Sequence, residues 1–173
     1  MTDGPVLLLM RLVHVLCGVL WVGAVVFLAF YIIPSVRDAG PGAGPFMQKL
    51  GARRPPVYMM ILAVLTVLSG FGLYWRDSNG FQSHEWLRSG SAMVFGLGGA
   101  IALFVLILGA TVVSPAGKRM GELAGQMQAA GAPPPPERVA EMQRLQARLA
   151  RSSMIAAVAL IVTAICMAVA RYV

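Results

Sequence analysis

Four long apolar runs, at about 5–33, 57–75, 92–113 and 154–170, set the terms on which this chain can fold. A helix needs ~20 apolar residues to cross a hydrocarbon layer ~30 Å thick, and each run is near that length. In lipid every main-chain N–H and C=O must be paired within the protein, so the spanning form is a helix or a closed barrel. Barrel strands are short and alternate apolar with polar residues, which these runs do not. The expectation is an all-α fold, an integral membrane antiparallel four-helix bundle forming one domain over residues 1–173. The first run is too long for the core of a secretion signal and lacks a basic segment before it, so it reads as a membrane helix.

The placement of charge orients the bundle. Segment 34–56 carries Arg37, Lys49, Arg53 and Arg54, and segment 114–153 carries Lys118, Arg119, Arg138, Arg144, Arg148 and Arg151. The remaining cations are Arg11, Arg76, Arg88 and Arg171, so the division is ten against four. Basic loops stay on the cytoplasmic side, which places both termini outside. The net charge of +7 is thereby used in topology. No interleaved aromatic residues or binding motif accompany it, so nucleic acid is not an expected partner.

Segment 34–56 contains "DAGPGAGP", which has turn chemistry, and the first helix is expected to end at Pro34. Between the third and fourth spans, residues of about 116–152 read as two helices separated by "PPPP" at 133–136. This gives a cytoplasmic helical hairpin, bent or broken near Pro115, in which Glu141 pairs with Arg138 or Arg144. Glycines at 70, 72, 96, 98 and 99, together with Ser69, predict close helix contacts.

The residue least suited to lipid is His14. Ionisable groups inside spans are costly and tend to face protein or a cavity, where they mark function. Counting back ~20 residues from Pro34 places it near the outer edge of the hydrocarbon. Met10, His14 and Cys17 share one helix face, and Gly18 on that face would open space beside the ring. The topology brings His84, Met93, Cys166 and Met167 to the same half of the membrane. Imidazole, thiolate and thioether suit copper(I), and imidazole suits haem iron. A copper set would be His14 with Met10, Cys17 or Cys166. A haem b site would use His14 as axial ligand, Gly18 as the slot, Arg11, Arg76 or Arg88 for propionates, and His84, a methionine or a dimer partner opposite. The plainer alternative is a neutral histidine hydrogen-bonded to a carbonyl or water. Trp21 reads as packing. No carboxylate lies within a span, and no nucleophile elbow, phosphate loop or zinc-protease motif is present.

The run "HVLCGVLWVGAVVFLAFYIIPSV" resembles the first helix of the bacterial CopD-like membrane family, with His14, Trp21, Gly23 and Pro34 in the matching places. The segments "LTVLSGFGLYW", "VVSPAGKRMGEL" and "RLQARLARSS" resemble a compact four-helix branch of integral membrane proteins. The first resemblance implies copper handling through His14 and nearby methionines. A more distant likeness to four-helix haem-binding protoporphyrinogen oxidases implies His14 as a haem b ligand. In place of their arginine-rich helix ending and tyrosine-histidine pair, this chain has "FYIIPSVRD". A third reading is an accessory subunit, its glycine-rich faces and charged hairpin docking a larger membrane complex.

Overall fold

A computed structural model of the chain describes residues 3–130 and 133–173. Among these residues it is all-helical, without strands. Helix α1 spans Asp3–Phe27 and passes through a π-turn at Leu28–Ile32 into α2, Ile33–Ala39. A 3₁₀ turn at Gly40–Ala43 leads to α3, Gly44–Ala52, and then to α4, Pro55–Asp77. The short α5, His84–Leu87, precedes α6, Gly90–Leu108, which continues through a π-turn at Gly109–Val113 into α7, Ser114–Ala129. The last long helix is α8, Pro136–Val169. Four helical rods, residues 4–39, 55–77, 90–129 and 136–172, are long and apolar enough to cross a membrane.

One expected helix end, at Pro34, is absent, and of the bend or break expected near Pro115 the break is absent. The first rod runs through Pro34 to Ala39, and the third runs through Pro115 without interruption. The reason is the same in both. Proline lacks an N–H and its ring crowds the carbonyl four residues back, so a regular α-turn cannot continue. Widening one turn to the π pattern relieves that crowding. Ile33 N–H reaches Leu28 O, and Ser114 N–H reaches Gly109 O, each just before the proline. The segment expected as turns after Pro34 is mostly helical too. Its glycine and proline residues shape helix ends: Gly40 closes α2 at φ +53°, and Arg54, at φ +51°, precedes Pro55 at the start of α4.

The helices pack in a ring, α1 on α4, α4 on α6, α6 on α8 and α8 back on α1. Every wall contributes to one core: Trp21, Val25 and Ala29, then Ala63, then Ala102 and Val105, then Ala156, Ala157 and Leu160. Trp21 fills space that the surrounding alanines leave, as its reading as a packing residue requires. Thr66 and Thr163 return their hydroxyl hydrogens to carbonyls one turn back, Leu62 and Ala159, so neither is a loose polar group in the core. The outward faces are apolar, with Leu8, Leu12, Val15, Leu68, Phe104 and Ile165 among the exposed side chains. In water such a surface would aggregate, whereas in lipid it is the expected boundary.

Outside the ring, α7 lies against α8 as a hairpin, held by the nearly sealed Leu123 and by Ala116. Glu141 does not pair with Arg138 or Arg144 on its own helix. It accepts a hydrogen bond from Arg119 Nε across the hairpin at 2.8 Å, and Glu122 lies 3.9 Å from the same guanidinium. The Glu141 carboxylate holds the Arg119 guanidinium above its ordinary range. Both partners remain well exposed, so screening by water leaves the pair little weight. Arg119→Ala is therefore expected to move the thermal unfolding midpoint by no more than about 2 °C. A larger drop would show that the pair, not the apolar contact, holds the hairpin.

Candidate functional site

The interface between α1 and α4 is built from large side chains set against glycines. A Cβ on Gly72 would overlap the terminal methyl of Met10. A Cβ on Gly70 would come within 2.7 Å of His14 Cε1 and 3.0 Å of its Nδ1. One turn further along α1 the roles reverse, and the Thr66 methyl lies 3.5 Å from where a Gly18 side chain would begin. Gly18 therefore opens no slot beside the imidazole; Thr66 fills it. Missing side chains let the two backbones approach closely, which is how small residues strengthen helix contacts in lipid.

Within this contact His14 Nδ1 lies 2.8 Å from the main-chain oxygen of Thr66. A carbonyl only accepts, so Nδ1 carries the proton and donates it. In the neutral ring, Nε2 then holds the lone pair. Nε2 makes no hydrogen bond among the described residues, and none of their side-chain nitrogens or oxygens is both buried and unpartnered. Nε2 therefore reaches the surface of the α1–α4 groove. It stands over Gly70, 3.6 Å from where a Cβ on that glycine would be.

Helix α4 is close to one membrane thickness at ~1.5 Å per residue. Thr66 lies at its midpoint, between Pro55 and Asp77, so His14 is level with the middle of that helix.

The other sequence candidates are only partly gathered. Met10 lies one turn before His14 on the same packed face, and Cys17 is half-buried one turn after it. Cys166 belongs to another contact: Gly98 of α6 receives its Cβ and the end of Met167, each 3.0 Å from a Cβ on that glycine. The Thr163 hydroxyl also lies 3.4 Å from Gly98 O there, so that its one hydrogen is shared between this carbonyl and Ala159 O. His84 is exposed on α5, which packs against α6, while Arg11, Arg76 and Arg88 are exposed. Met93 is exposed at the start of α6. Among the described residues no group of three or more histidine, cysteine, aspartate or glutamate side chains could hold a metal ion. The copper set expected from sequence thus divides: Met10 and His14 of α1 pack against α4, and Cys166 of α8 packs against α6.

Sequence reasoning found His14 and marked Gly70 as a close-contact position, but it missed Thr66 and did not pair Gly70 with His14. The signal for Gly70 was present in "SGFG", though nothing in the sequence said which side chain its space receives. Comparison with protein-family models, with curated proteins and with solved structures finds no match for the chain.

Proposed function

We propose that this chain is a haem b-binding redox or haem-handling protein of the bacterial inner membrane, with His14 Nε2 as an axial iron ligand. The observation that carries the reading is the Nδ1–H donated to the Thr66 carbonyl. A ligating histidine commonly donates its other ring N–H to a carbonyl or carboxylate, which fixes the tautomer and raises the basicity of the ligating nitrogen. Here that bond leaves Nε2 as the available nitrogen of the ring. Arg11, one turn outward, is a cation for a propionate. Bound haem would supply reversible one-electron transfer. The protein's part is to orient the imidazole and to cover one face of the ring with packed helix.

The same reading takes the bundle as antiparallel, with both termini outside and the α7–α8 hairpin in the cytoplasm. Its support is the pairing of successive α1 residues with receding α4 residues, Met10 with Gly72, His14 with Gly70 and Gly18 with Thr66, together with the basic loops. The resemblance to families with a first-helix histidine accords with it.

The test is the absorption spectrum of protein purified in detergent from cells supplied with haem, before and after dithionite. A Soret band that sharpens on reduction and disappears in His14→Ala is the expected result. A flat spectrum in the unaltered protein overturns the reading. Copper handling is the second reading, favoured by Met10 and His14 standing one turn apart on one packed face. It predicts a colourless protein whose copper(I) affinity falls in both Met10→Ala and His14→Ala.

A further inference from the structure

Where the first rod passes Pro34 and leaves the bundle, a cleft of about 230 Å³ lies between it and α8. Its walls are apolar, formed by Ala29, Ile33, Pro34, Ala150 and Met154, and two adjacent residues of opposite charge, Arg37 and Asp38, line the same cleft. Arg37 stands roughly 12 Å further along the helix than Ala29, at ~1.5 Å per residue. The cleft is therefore apolar toward the middle of the bundle and doubly charged at its outer end. Neither Arg37 nor Asp38 has a side-chain ion pair or hydrogen bond among the described residues, and both are exposed.

We infer that this cleft is a binding site for a phospholipid whose headgroup carries both a phosphate and a primary ammonium, that is, a phosphatidylethanolamine. An acyl chain has no hydrogen-bonding needs and fits the wall of Ala29, Ile33 and Met154. The phosphate meets the Arg37 guanidinium, whose planar fork matches its oxygens. The ammonium donates N–H hydrogen bonds to the Asp38 carboxylate. The pair of charges discriminates among headgroups. A choline headgroup has the same positive charge but no N–H to donate. A glycerol headgroup leaves the lipid with a net negative charge and offers Asp38 no cation. A merely basic cleft would prefer the anionic lipid, and the acid beside the arginine argues for the zwitterion. The site lies at the far end of the bundle from Met10 and depends only on the rods lying in a bilayer.

The full chain would be reconstituted in nanodiscs with equal parts phosphatidylethanolamine, phosphatidylcholine and phosphatidylglycerol of identical acyl chains. Lipids retained per chain are then counted by native mass spectrometry as detergent and collision energy strip the annulus. One phosphatidylethanolamine, retained about threefold or more over either competitor, is expected, on the scale of one partly exposed charge contact. Asp38→Asn should abolish its advantage over phosphatidylcholine, and Arg37→Gln should lower retention of all three lipids. Both positions are exposed, so these variants should keep the fold, which circular dichroism checks. Retention of phosphatidylglycerol ahead of phosphatidylethanolamine, no preference at all, or a preference that survives both substitutions would each overturn the inference.

Discussion

Gly70→Val will destabilise the bundle by about 2–4 kcal/mol and release His14 from Thr66. A Cβ at position 70 would stand 2.7 Å from His14 Cε1, closer than carbon atoms approach, and valine adds two methyls beyond it. The imidazole must swing away or the helices must part. Either movement breaks the 2.8 Å bond from Nδ1 to the Thr66 carbonyl. Overpacking typically costs about 1–3 kcal/mol, and a lost hydrogen bond adds about 1. Gly72→Ala meets only the flexible end of Met10 and should cost less. Gly99→Ala meets nothing within 4 Å and should be neutral or gain up to about 1 kcal/mol from helix propensity. Thermal and SDS unfolding of the three variants gives the order directly. If Gly70→Val unfolds with Gly99→Ala, the contact between α1 and α4 is not as close as described. On the haem reading, Gly70→Val also loses the Soret band while His14 itself is intact.

The second large effect lies in the hairpin. Leu123→Ala is expected to cost about 2–5 kcal/mol and to loosen α7 from α8. Leu123 is 1% exposed, on a helix whose other face is mostly polar. On this largely polar helix its removal forfeits both burial and packing, since a cavity remains where the side chain was. The ion pair of Arg119 and Glu141 cannot compensate, because both groups are largely hydrated. Limited proteolysis would detect the change as faster cleavage within residues 114–129, with the membrane rods still protected. An unchanged cleavage rate would mean that α7 does not depend on this contact.

Much of the fold was legible because a bilayer permits so few alternatives. Four apolar runs of membrane length read as four helices, and the structure has four such rods. The errors fell where local chemistry is ambiguous. Glycine and proline in "DAGPGAGP" are turn residues, but the same residues start and close helices, and here most of the segment is helical. Pro34 and Pro115 are helix breakers by rule, yet one widened turn before each lets the rod continue. No residue pattern announces that accommodation, because it depends on whether neighbouring helices support the rod beyond the proline. Glu141 had three cations within reach of a sequence argument or of the fold. Arg119, distant in sequence, won because α7 folds back beside α8.

The site divides in the same way. That His14 is unusual follows from composition, since an imidazole in an apolar run stands out whatever surrounds it. That Met10, His14, Cys17 and Gly18 share a face follows from helical periodicity. Which helix that face meets, and at what level, does not. The midpoint of α4, the space over Gly70, the Thr66 carbonyl and the filling of Gly18 are properties of two helices placed side by side. Hydrophobic length is additive along the chain and can be summed residue by residue, so the spans were decided there. Register between helices depends on how particular side chains interlock across a gap, and only the packed structure decides it.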